Sequence, residues 1–62
     1  MYERYASLRD KYCITDYKVS KDTGVSTATL SSWKSGVYTP KIDKLKILAD
    51  YFGVPIEYFL ED

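Results

Sequence analysis

Residues 16–36 read DYKVSKDTGVSTATLSSWKSG, and the punctuation of this stretch decides the fold. Thr15, just before it, has the hydroxyl of a good helix N-cap, and Asp16 then stands where the helix dipole favours a negative charge. The helix that begins at Asp16 stops at Thr23, because Gly24 is a natural left-handed terminator. Ser26 is the next N-cap, and a second helix runs to Ser35, where Gly36 ends it. Only Gly24-Val25-Ser26 separates the two. A three-residue turn opening on glycine makes two helices cross steeply, which is a helix-turn-helix spanning about residues 16–35. The close crossing needs a small residue on the first helix, and Ser20 supplies it. Val19, Val25, Leu30 and Trp33 are the apolar contacts beneath the turn.

The flanking sequence also reads as helix. Tyr5, Leu8 and Tyr12, with Met1 a turn earlier, recur at helical spacing and predict an amphipathic helix over residues 2–12. Thr39-Pro40 reads as an N-cap followed by proline at the first helical position. The helix it opens continues through Lys41–Phe52, with Ile42, Leu45, Leu48, Ala49 and Phe52 on one stripe. Gly53 ends that helix, and Pro55–Leu60 reads as a short final turn or helix. No segment alternates as a strand bounded by hairpin signals. The expected fold is all-α: a compact five-helix bundle in which residues 1–62 form a single domain.

Composition narrows the function. A chain of 62 residues, 45% hydrophobic and 16% aromatic, is globular but small, with little room for an enclosed substrate pocket. It has no histidine and one cysteine, Cys13. That excludes Cys/His zinc sites and imidazole triads, and it points to a reducing cytoplasm with Cys13 as a half-buried filler at a helix end. No Gly-rich phosphate loop, metal-ligand cluster or paired nucleophile and base is present, so the chain reads as a non-enzyme without cofactor, metal or small-molecule substrate. No apolar run reaches 18 residues and MYERYASLRD lacks a signal-peptide core, so a soluble protein away from membranes is expected. The formal net charge is zero, yet it is segregated: +1 over residues 1–15, +3 over 16–46 and −4 over 47–62. A basic middle and an acidic tail make the molecule a charge dipole.

KVSKDTGVSTATLSSWKSG followed by TPKIDKLKILADYFGVPIEYFL resembles the DNA-binding domain of lambdoid repressor/Cro-like (XRE-type) bacterial and phage transcriptional regulators. The similarity spans roughly residues 3–60, and TGVS, LSSWKSG, Pro40 and LADYFGV are its strongest elements. The resemblance implies a lambda repressor-like fold and sequence-specific binding of a double-stranded DNA operator. It further implies a regulator acting as a repressor, and a homodimer on two half-sites about one helical turn apart. Residues 27–35 would be the helix in the major groove. The chain stands either as a whole regulator or as the N-terminal part of a longer one. Two positions depart from the family. Ser20 replaces the usual Ala, with a hydroxyl free to bond back to the preceding turn. Asp16 replaces a Gln that touches phosphate in several members; a carboxylate repels phosphate, so Asp16 is assigned to helix stabilisation.

On a wheel of about 100° per residue, Leu30 and Trp33 fall on one side of the third helix with Thr29 beside them. Thr27, Ala28, Ser31, Ser32 and Ser35 fall on the other. The family positions matching Thr27, Ala28 and Ser32 meet base edges, and Ser31 shares their face. None of these side chains makes the bidentate contact that arginine or glutamine makes, which contributes about 1–3 kcal/mol of discrimination. Methyl packing on thymine, ordered water and DNA shape are left to choose the sequence. A merely solvated face would carry Glu, Lys and Gln, which are better helix formers than Ser and Thr. Affinity then falls to phosphate contacts. Lys34, Ser35, Tyr38, Thr39 and Lys41 cluster around the end of the third helix and the loop after it. Tyr17 and Lys18 (with Lys21) on the second helix, and Lys44 on the fourth, complete the set, with N–H groups at the start of the second helix as anion donors. A competing reading uses the fold as a protein–protein module, which seven tyrosines favour because tyrosine is enriched at interfaces.

Overall fold

Thr15, Gly24, Ser26, Gly36 and Gly53 each cap a helix in the computed structural model, which describes residues 1–60. Glu61 and Asp62 of the acidic tail lie outside the described residues. The helices are α1 (Tyr2–Lys11), α2 (Asp16–Thr23), α3 (Thr27–Ser35), α4 (Ile42–Phe52) and α5 (Glu57–Leu60), and no strand occurs among the described residues. Thr15 caps α2 by accepting the Lys18 N–H, and Ser26 caps α3 by accepting the Thr29 N–H at 3.1 Å. Gly24 and Gly36 both adopt φ +83°, a conformation that costs an L side chain about 1–2 kcal/mol. At Gly24 the Thr23 hydroxyl helps make the turn. It donates to the Val19 carbonyl at 2.7 Å and accepts the Val25 N–H at 3.2 Å.

α2 packs on α3 and α4, while α5 closes on α1 and α4. The core between them holds Tyr5, Leu8, Val19, Val25, Leu30, Trp33, Leu45, Leu48, Ala49, Phe52 and Phe59. Trp33 is its junction. The indole lies 5.5 Å from the rings of both Tyr2 and Tyr5 on α1, and 6.3 Å from Phe59 on α5. Offset and edge-on aromatic pairs at such distances contribute about 0.5–1.5 kcal/mol each beyond their burial. They also fix the roll of α3 about its own axis, because a rotated helix would pull the indole out of its socket.

Several expectations are corrected. Tyr12 is 50% exposed and Met1 is exposed, because they are the caps of α1 and not members of its buried stripe. Tyr12 instead stacks on the edge of the core, 6.0 Å from Phe52 at 20°. Ile42 is 61% exposed, and α4 starts at it with Lys41 as N-cap, not at Pro40 with Thr39 as cap. Pro40 is itself buried, ahead of the helix. Pro55 and Ile56 form a turn that precedes α5, whose Tyr58 and Phe59 N–H groups reach back to their carbonyls. Cys13 is exposed and takes φ +56°, the left-handed residue that ends α1 where glycine would ordinarily stand. The Ser20 hydroxyl makes no bond to the preceding turn among the described residues; Ser20 is half-buried at the crossing.

Candidate nucleic-acid interface

The side of α3 opposite Leu30 and Trp33 is open. Thr27, Ala28 and Ser31 are exposed and Ser32 is half-buried, so four small side chains face outward from a helix whose back is locked in the core. Thr29, placed beside the core by the wheel, is half-buried, and its hydroxyl lies 2.9 Å from that of Ser26. Ser35 donates to the Ser32 carbonyl at 3.0 Å, which occupies its proton within the helix but leaves its oxygen able to accept.

After Ser35 the chain folds back on itself. The Val37 and Tyr38 N–H groups both point to the Ser32 carbonyl, at 3.1 and 3.3 Å. This return brings Tyr38 alongside the outward face, where it lines an open hollow of about 280 Å³ together with Ala28, Thr29 and Ser32. Two of the sequence-derived base-reading residues and one of the phosphate residues therefore share one surface feature. Thr27 and Ser31 are outside the hollow but on the same helix. Tyr17, 70% exposed, and Lys18 stand in the first turn of α2, and Lys44 stands on α4, half-buried.

Charge pairing sorts the lysines. Lys18 bridges Asp22 at 3.1 Å, and Lys46 bridges Asp50 at 3.5 Å. Lys21, Lys34, Lys41 and Lys44 form no ion pair among the described residues. Asp22 also accepts the Tyr51 hydroxyl at 2.6 Å. That bond, then Lys18, holds the Asp22 carboxyl below the usual range, while the same contact raises the Tyr51 phenol. The basic character of the middle of the chain thus resides chiefly in the lysines around the end of α3 and the start of α4.

Asp16 has a fuller role than helix stabilisation. One of its carboxylate oxygens accepts the Tyr5 hydroxyl at 2.6 Å and the Arg9 guanidinium at 3.0 Å. Burial first, and then this bond, raises the Tyr5 phenol; the bond to Asp16 raises Arg9. The carboxylate is thereby neutralised from α1, and its repulsion of a phosphate at the start of α2 is reduced. The free N–H groups of that first helical turn are left as anion donors. Sequence spacing gave no sign of this contact, since Tyr5 and Asp16 are 11 residues apart. One signal was available: a tyrosine on a buried stripe needs a partner for its hydroxyl.

A helix-turn-helix family model, of the XRE and lambda repressor-like kind, matches residues 6–59. No curated protein and no solved structure matches the chain. With all but a few terminal residues covered, the chain belongs to this DNA-binding helix-turn-helix family.

Proposed function

We propose that this helix-turn-helix chain is a sequence-specific transcriptional regulator, acting as a repressor, that lays α3 in the major groove of an operator. The observation that carries the reading is the outward face of α3. Thr27, Ala28, Ser31 and Ser32 are presented to solvent by a helix whose roll is fixed through Trp33, and Lys34 and Lys41, which form no ion pair among the described residues, follow at its C-terminal end. Small side chains let the helix axis approach the base edges closely, with methyl contacts and water carrying the discrimination. Lys34, Ser35, Tyr38, Thr39 and Lys41 take phosphates on one side of the groove. Tyr17, Lys18, Lys44 and the N-terminus of α2 take them on the other. No helix among the described residues is long and apolar enough to cross a membrane, and we place the protein in the cytoplasm on DNA.

The proposed binding unit is a homodimer on two half-sites about one helical turn apart. Val37, 83% exposed, and Ile42, 61% exposed, are apolar side chains left largely open by the described residues, which favours a protein surface beside the DNA surface. In vitro selection from random duplexes, followed by titration and stoichiometry on the selected sequence, tests the whole reading. Selection should converge on a two-fold repeat bound by two protomers. An unconverged pool, or no binding at low salt, refutes it.

A further inference from the structure

We propose that the hollow between Tyr38 and α3 is a pocket for the methyl-bearing edge of a thymine, which makes the Tyr38 ring a determinant of base choice. The proposal rests on the docking of α3 described above and goes beyond it, because the selecting residue is in the loop and not on the recognition helix.

The geometry comes from the chain reversal at Gly36. With the Val37 and Tyr38 N–H groups both held by the Ser32 carbonyl, Tyr38 is set beside Ala28, Thr29 and Ser32 and cannot trail away from the helix. The walls so formed are mostly incapable of hydrogen bonding. Ala28 offers a methyl and Tyr38 a ring. Thr29 has its hydroxyl against that of Ser26, at 2.9 Å, so the methyl is what it has left to offer. The Ser32 hydroxyl has no partner among the described residues, and it is the polar group the hollow offers to a ligand from the helix side.

Only one base edge matches that inventory. In the major groove thymine alone presents a methyl, beside its O4 acceptor, whereas adenine, guanine and cytosine present donors and acceptors without one. An apolar wall pressed on an adenine or cytosine amino group would remove its water and return nothing. Thymine gives its methyl to Ala28, Thr29 and the Tyr38 ring, and its O4 to the Ser32 hydroxyl, with ordered water in the remaining space. The Tyr38 hydroxyl, which bonds to nothing among the described residues, stays available for a phosphate.

The test uses the selected duplex and replaces each thymine in turn by deoxyuracil, which deletes the methyl and nothing else. One position per protomer should lose about fourfold in affinity, the equivalent of one buried methyl group, while the others change little. Tyr38→Ala should abolish that uracil effect, and Tyr38→Phe should keep it. Replacing the sensitive T·A pair by 5-methylcytosine paired with guanine should bind better than cytosine there. A flat uracil scan in the unaltered protein overturns the pocket while leaving the docking intact, and needs no variant to fold. An undiminished uracil effect in folded Tyr38→Ala also overturns it. Failure to bind any duplex overturns the docking and the pocket together.

Discussion

Tyr5→Phe combined with Asp16→Asn tests how α1 holds the start of the helix-turn-helix. Tyr5→Phe removes one hydroxyl from a fully buried ring and leaves no cavity, so the loss is confined to the 2.6 Å bond to the Asp16 carboxylate. Hydrogen bonds to charged groups contribute about 1.5–3 kcal/mol. Asp16 is 34% exposed, and screening by water moves the value to about 1–2 kcal/mol. Asp16→Asn keeps the shape but removes the charge. It weakens the bonds to both Tyr5 and Arg9 and loses about 0.3–1 kcal/mol of helix-dipole energy, for roughly 2 kcal/mol in total. A domain of this length has only about 3–9 kcal/mol of stability to lose, so either change should lower Tm by several degrees. Urea unfolding followed by the fluorescence of Trp33, the only tryptophan, measures all four members of the cycle. The double variant should be less destabilised than the two single losses together by about 1 kcal/mol. Additivity within about 0.5 kcal/mol would refute the reasoning: the Tyr5–Asp16 bond would then contribute nothing, and Asp16 would act through Arg9 and the helix dipole.

On the proposed docking, the pairing of the lysines sets the salt dependence of DNA binding. Lys34→Gln and Lys41→Gln should each flatten the log–log slope by roughly 0.9 per protomer. Lys46→Gln, which removes a charge already paired with Asp50 at 3.5 Å, should leave it unchanged. Equal effects at all three positions would contradict the assignment. For Asp22 the folded pKa lies below the unfolded one, chiefly through Tyr51. Its contribution to stability is therefore present at neutral pH and is lost as pH falls through the carboxylate range. Tyr51→Phe should be less stable than the parent at pH 7, and denaturation midpoints should show the difference closing in acid. Tyr5 and Tyr51 are both raised, so their contributions hold below the ordinary tyrosine pKa of about 10 and fade above it. A denaturation series should show stability falling on that alkaline side, with a smaller fall in Tyr51→Phe. Cys13→Gly should stabilise by about 0.5–1 kcal/mol, because φ +56° is strained for cysteine and free for glycine. An unchanged or lower denaturation midpoint would count against that account.

The ends of α2 and α3 were the legible part of this sequence, and side-chain partnerships across helices were not. The ends of α2 and α3 are written by Thr15, Gly24, Ser26 and Gly36, each of which acts on its own few neighbours, so their effect is local and readable. Pro40 was misread because two local roles compete for a proline. It can open a helix or fill an apolar gap before one, and only the packing of α4 decides that it is buried ahead of Lys41. The same holds for Ile42 and Tyr12, whose spacing fits a stripe but whose places at helix ends lift them off it. At the candidate site the small outward face of α3 was visible from periodicity alone. Its junction with Tyr38 was not, since it depends on two N–H groups after Gly36 turning back to one carbonyl of α3.

These two kinds of information meet in the posture of α3. Its outward side chains are short and make no bidentate contact, so on the proposed docking a small rotation of the helix would withdraw every methyl and hydroxyl from the bases at once. A long arginine can reorient to keep its contact; Ala28 cannot. A face of this kind therefore needs a backbone held more rigidly than one built on long side chains. The fold supplies it through the indole of Trp33 between Tyr2, Tyr5 and Phe59, and Tyr5 is in turn tied to Asp16 at the head of α2. The consequence is measurable. Trp33→Phe keeps an aromatic ring in the socket but shortens it, and should weaken binding to the selected duplex by more than its loss of stability accounts for. If a folded Trp33→Phe bound that duplex as tightly as the parent, the roll of α3 would not be what limits recognition.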